Sequence, residues 1–177
     1  MSVAHVLKYS TDFSERIRPF LAESKALLEI ETLGAAGLRY RMRLSRSEGR
    51  HWDQVEALDP GRVIDRGGAG DWCSVGIIER LCASGLDALR NVTQRKIHDG
   101  LRFGQALAAW TCAFEGARGG MYSIDKKSFR TQIGKILSGE HFDFDQFQKR
   151  RVGHKLSRPK ICGGCGYSRA STPVLAN

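Results

Sequence analysis

Apolar residues recur at helical spacing through most of this chain. Ser14 is a plausible N-cap for "ERIRPFLAESKALLEIETLG", in which Ile17, Leu21, Leu28 and Leu33 fall near one face and Gly34 supplies a stop. Pro19 lies in the first turns, where a missing N–H is least harmful. The next stretch, "GLRYRMRLSRSEGR", fits two periods. Arg39, Arg41 and Arg43 alternate with Tyr40, Met42 and Leu44 as in a strand, whereas Arg39, Arg43, Arg46 and Arg50 fit a basic helical face. With no partner strand evident nearby, the helix is preferred. Its Arg ridge is then a candidate for phosphate contact or, equally, a solvated face offset by Glu48, Asp53 and Glu56.

Residues 59–71, "DPGRVIDRGGAGD", are rich in glycine and read as a loop or linker. No Gly-Lys-Ser/Thr follows, so the cluster does not match a phosphate-cradling P-loop. "SVGIIERLCASGLDALRNVTQRKIHDG" then carries an apolar set at helical spacing, with a break expected near Ser84–Gly85. In "LRFGQALAAWTCAFEG", Phe103, Leu107, Trp110 and Phe114 advance by fours and threes until Gly116, Gly119 and Gly120. Ser123 reads as the cap of "IDKKSFRTQIGKILSG", Asp125 suits the positive end of that helix, and Gly139 stops it. "FDFDQFQKRR" reads as one more short helix, capped by Asp143. The pattern predicts a mostly α fold: a compact multi-helix domain over residues 1–148, with a helix-turn-helix-like unit over residues 103–138. Residues 149–177 form a basic, irregular extension.

Charge sharpens this picture. The net is +9, yet seven bases and no acid fall from Lys149 onward, so the body is close to neutral. A local basic block on a near-neutral domain points to a polyanionic partner, nucleic acid ahead of membrane, or else to a solubilising tail. Within the helix-turn-helix-like unit, Phe129, Ile133, Ile136 and Leu137 form an inward stripe. Lys126, Lys127, Arg130, Thr131 and Lys135 share the remaining face, which suits either major-groove reading or an ordinary amphipathic surface. Arg150, Arg151, Lys155, Arg158 and Lys160 would then hold phosphates without reading bases.

The cysteines allow one metal hypothesis. Cys73, Cys82 and Cys112 sit in apolar, helix-like segments and read as reduced thiols rather than a disulfide frame. Cys162-Gly-Gly-Cys165-Gly166 has the shape of half a zinc knuckle, with His154 as a third candidate ligand. No second Cys-x-x-Cys completes it, so exposed thiols on a glycine-rich tail are the competing reading. His141, Asp143 and Asp145 suit a helix start better than a metal site. No Ser or Cys nucleophile stands at a recognisable spacing from a histidine, and no paired carboxylates occur in a motif context. The N-terminus lacks the features of a signal peptide, and no apolar run approaches a membrane span, which together suggest a cytoplasmic protein.

The arrangement "DRGGAGD" followed by helices is similar to small helical regulators of bacterial or phage origin, a likeness that assigns no residue a role. The expectation from sequence is therefore a non-enzymatic DNA-binding protein, a transcriptional regulator, acting as a homodimer or with RNA polymerase. Two alternatives stand beside it. One is an RNA-binding or RNA-polymerase-associated factor with a zinc knuckle, and the other is an interaction or assembly protein.

Overall fold

A computed structural model describes residues 4–22, 24–43, 51–122 and 124–140, which all belong to one compact unit. Its elements run β1 (Val6–Ser10), α1 (Ser14–Ala22), β2 (Leu28–Thr32), β3 (Leu38–Met42), β4 (Asp53–Val55), α2 (Ala69–Ile77), α3 (Gly85–Arg90), α4 (Gln94–Cys112) and α5 (Lys126–Ser138). The strands form a mixed sheet in the order β1-β2-β3-β4: β1 pairs parallel to β2, and the other two pairings are antiparallel. The mostly α expectation is thus corrected to α/β.

Two predicted helices are strands for a single reason. In β2, Leu28 and Ile30 are fully buried against the helices, while Glu29 and Glu31 point to the other face. Helical spacing from Ile17 to Leu33 merges a true helix with this strand. The strand's own alternation, Leu28-Glu29-Ile30-Glu31, is lost inside that longer helical reading, and its polar face is buried as well. Glu29, 1% exposed, accepts hydrogen bonds from Tyr9 (2.9 Å), Arg41 (2.8 Å) and Arg43 (2.8 Å). Glu31 accepts one from Arg39 (2.7 Å), and Arg39 and Arg41 both stack on Trp52. Arg39 and Arg43 of the predicted phosphate ridge are therefore, with Arg41, cross-strand partners of two buried carboxylates, while Arg46 and Arg50 lie outside the described residues. Buried charge survives only when paired and hydrogen-bonded in this way.

The other sheet face carries the core. Leu28, Ile30, Leu38, Tyr40 and Val55 pack with Cys73, Ile77, Leu81, Leu89, Ile97 and Leu101 from the helical layer. Within that layer α2 and α4 approach through glycine. A Cβ on Gly76 would stand 2.8 Å from the Cα of Gly104, and one on Gly104 would stand 2.8 Å from the Cys73 carbonyl oxygen. A second cluster joins α4 to α5 around Trp110, whose Nε1 donates to Gln132 Oε1 at 2.6 Å and whose ring meets Trp72, Phe114 and Phe129. Helix α4 is consequently a buried scaffold helix. It is not the first arm of a helix-turn-helix, and α5 is cemented along its length to the same core. The cap of α5 is Asp125, which accepts from the Ser128 amide at 2.8 Å, and Gly139 ends the helix with φ 75°. The break expected near Ser84–Gly85 is where α3 begins, after a π turn over Ile78–Cys82.

The residues read as a linker are held in place. Asp65 Oδ1 accepts from the Gly67 amide (2.8 Å) and its Oδ2 from the Gly116 amide (2.9 Å), tying the approach to α2 to the segment that follows α4. Gly68 caps α2 with φ 81°, and a Cβ there would also collide with Ala117 Cβ at 2.4 Å.

Two predictions follow from these contacts. Gly104→Ala should destabilise the protein by about 1–3 kcal/mol through overpacking, although alanine is the better helix former. Gly134→Ala on α5, where nothing lies within 4 Å of the new Cβ, should be neutral or stabilising. Thermal melts of the two variants test this, and equal effects would remove the close-approach argument.

The second prediction concerns Asp65, whose carboxyl is held below its ordinary value of 3.8 by the Gly67 amide first and the Gly116 amide second. A depressed folded value contributes stability above the unfolded pKa, and that contribution is lost as pH falls through the folded one. Asp65→Asn should therefore melt below wild type at neutral pH, with the gap closing once pH drops past 3.8. A gap that persists unchanged in acid would contradict the carboxylate's role.

Candidate active site

A cleft of about 790 Å³ opens where β1 and β2 end. Ser10 and Thr32, the last residues of these parallel strands, form one wall, followed by Thr11, Asp12 and Gly34. Ala69, Gly70 and Cys73 of α2 and Ala108 and Cys112 of α4 form the opposite wall. In open α/β sheets the crevice outside the carboxyl ends of the strands is where ligands bind. Small residues dominate both walls, leaving room for a flat or extended ligand.

The start of α2 meets this cleft. Trp72 N donates to the Gly68 carbonyl and Ala69 N to that of Arg66, but among the described residues no backbone acceptor takes the amides of Gly70 and Asp71. Such first-turn amides carry the positive end of the helix dipole. Lys8 adds a full charge: its Nζ lies 3.1 Å from the Gly70 carbonyl oxygen, so the ammonium stands beside the helix start. A Cβ built on Gly70 would meet only that Nζ, at 3.9 Å, so the surface over the glycine is open. This combination of free amides, a neighbouring ammonium and no side chain is what an anionic oxygen needs for close approach.

Two further groups complete the chemistry. Asp71, in the first turn of α2, is exposed. From the helical angle it lies on the flank away from Gly76, which faces α4. It is a carboxylate next to an anion cradle, as a general base would be. Asp12 and Asp59 lie on the cleft wall. Among the described residues no cluster of three metal-binding side chains occurs. Cys73 and Cys112 are unpaired, and burial pushes both thiols up, so they are neutral wall residues and not nucleophiles.

The residues predicted from sequence lie elsewhere. Lys126, Lys127, Arg130 and Thr131 are exposed on α5 and Lys135 is half-buried there. None of them lines the cleft. Ser123, Asp143, His141, Arg150, Arg151, His154, Lys155, Arg158, Lys160, Cys162 and Cys165 lie outside the described residues. What sequence reasoning missed is Lys8 and the Gly68–Asp71 turn. The signal is present in "HVLKYS" and "DRGGAGD", but the P-loop pattern, which demands a lysine after the turn, does not find it. Here the lysine comes from a strand sixty-two residues away.

No protein-family model and no curated protein matches the chain. Solved structures do. The ribokinase of Giardia lamblia superposes with a TM-score of 0.61 at 20% identity, over 77% of this chain and 44% of that one. A double-mutant fructokinase from Vibrio cholerae O395, bound to fructose, ADP and potassium ion, gives 0.54 at 22% identity over 73% and 41%. The aminoimidazole riboside kinase of Salmonella enterica, complexed with aminoimidazole riboside and an ATP analog, gives 0.53 at 18% identity over 75% and 43%. The chain thus spans about two fifths of the length of these proteins. Among the described residues no helix is long and apolar enough to cross a membrane. The fold is that of ribokinase-type α/β proteins. With the helical fold falls the DNA-binding regulator built on it, together with its nucleic-acid partner, its RNA-binding and assembly alternatives, and the expectation of a non-enzyme, while zinc at Cys162 and Cys165 is a call on residues outside those described.

Proposed function

We propose that this chain is the phosphate-binding part of a kinase that moves the terminal phosphoryl group of a nucleoside triphosphate to a hydroxyl of a sugar or nucleoside. One observation carries the reading: the Lys8 ammonium and the open amides of Gly70 and Asp71 meet at the start of α2, where Ala69 and Gly70 line the strand-end cleft. The similarity to kinases whose structures hold ADP or an ATP analog supports it.

Phosphoryl transfer asks for positioning and charge stabilisation more than for covalent chemistry. The start of α2 and Lys8 would hold the phosphate oxygens on which charge is spread. The acceptor hydroxyl oxygen forms its bond to the terminal phosphorus as the bond from that phosphorus to the bridging oxygen breaks. The hydroxyl proton passes to Asp71, and the nucleoside diphosphate leaves with the electron pair.

Calorimetric titration with ADP tests the cradle without requiring turnover. Lys8→Met should weaken ADP binding about tenfold or more, the equivalent of one charge-assisted contact. Gly70→Ala should leave the melting temperature unchanged or slightly raised, because its Cβ meets no protein atom closer than 3.9 Å, yet should weaken ADP by a similar factor. ADP affinity indifferent to both changes would overturn the reading.

A further inference from the structure

We infer that Arg66 is a phosphate-binding residue that holds the leaving diphosphate of the nucleotide, an assignment that rests on the kinase reading and adds a residue to it.

The first observation is a cation without a partner. Among the described residues, the charged side chains that line the cleft are Asp12, Asp59 and Arg66, so Arg66 is its one base. Arg66 is exposed, and among the described residues no carboxylate pairs with its guanidinium. The adjacent acid is committed elsewhere, because Asp65 accepts from the Gly67 and Gly116 amides. A full positive charge thus stands on the cleft wall three residues before Ala69, where the open first turn of α2 begins.

The second observation is that the root of this side chain is pinned. Asp65 N donates to the Cys112 carbonyl at 3.2 Å, and the Arg66 carbonyl accepts from Ala69 N at 3.2 Å. Backbone on both sides of Arg66 is therefore tied to α4 and to α2. Its charge is felt inside the cleft: burial pushes the Cys112 thiol up, and Arg66 opposes that shift. A guanidinium fork offers two parallel donors to phosphate oxygens, and an ordered root lowers what binding costs in lost freedom.

The geometry of α2 decides which phosphate it meets. Ala69 and Gly70 line the cleft, whereas Asp71 does not and stands exposed on the flank turned away from Gly76. A terminal phosphoryl group on the Gly70 and Asp71 amides then has the Asp71 carboxylate on one side and the cleft on the other. Only the cleft, at about 790 Å³, has room for a nucleoside. In phosphoryl transfer the attacking and leaving oxygens stand roughly in line. The acceptor hydroxyl gives its proton to Asp71 and bonds to phosphorus from that side, so the bond to the bridging oxygen breaks on the cleft side. The bridging oxygen keeps the electron pair, and the diphosphate gains its charge where Arg66 lies. The outer phosphate of the departing diphosphate stands between the helix start and Arg66, and the inner one is further along the cleft.

Calorimetric titration of the full chain with ADP and with AMP, repeated over a salt series, tests the assignment. Arg66→Gln should weaken ADP about tenfold or more and AMP less than about twofold, and should flatten the fall of ADP affinity with added salt. Arg66→Lys should keep the wild-type salt dependence but recover only part of the affinity, because an ammonium cannot bind two oxygens as the fork does. Both variants should melt at the wild-type temperature, since the guanidinium has no carboxylate partner to lose among the described residues. Unchanged ADP affinity in Arg66→Gln, with Lys8→Met still weakening it, would overturn the Arg66 assignment and leave the kinase reading standing. Equal losses for ADP and AMP would overturn it in the same way. A wild-type chain that binds no ADP would overturn both.

Discussion

Everything at the cleft depends on how closely α2 can approach α4. Gly76 and Gly104 remove the side chains that would otherwise hold the helices apart, leaving backbone against backbone with the Cys73 carbonyl over Gly104. Close packing of this kind has no slack. It sets the depth at which α2 sits on the sheet, and so the height of its first turn above Lys8. A shift of α2 by the width of a methyl group would part the Lys8 ammonium from the Gly70 carbonyl, now 3.1 Å away. Asp65, hydrogen-bonded to both Gly67 and Gly116, fixes the same turn from its N-terminal side. The anion cradle is thus a consequence of packing some distance from it.

The sheet contributes the second constraint. Glu29 and Glu31 are buried under Arg39, Arg41, Arg43, Tyr9 and Trp52, and losing one member would leave an uncompensated charge inside. This network spans β1, β2 and β3, which keeps Lys8 and Ser10 in register with Ile30 and Thr32. Burial and the hydrogen bond to Glu29 push the Tyr9 hydroxyl well above its ordinary range, so it stays a donor at any physiological pH.

The helices were legible because their apolar spacing is long and regular. The existence of α5, its Gly139 stop and the unpaired thiols could be approached from sequence, whereas α4 was split at Gly100 between two predicted helices. The sheet was not legible, for a physical reason. β2 and β3 alternate strictly, but each is only five residues long and also fits a helical spacing with its neighbours, and the pairing of β1 with β2 is set by the fold and not by a local pattern. The site was harder still. Its lysine and its glycines are joined by the fold and not by a spacing, so "DRGGAGD" reads as a linker until β1 is placed beneath it. The charge of the C-terminal extension drew attention to nucleic acid, whereas Lys8, a single base on a strand, carries the local chemistry.

The central claim is that the start of α2, with Lys8, receives phosphate. The most direct measurement is an amide NMR titration of the isotope-labelled chain with ADP. The account predicts that the largest shifts fall on Gly68, Gly70 and Asp71 and on Lys8, with smaller ones at Thr32 and Gly34 and little change along Lys126–Ser138. Shifts concentrated on the exposed face of α5, or none at the start of α2 at saturating ADP, would contradict it.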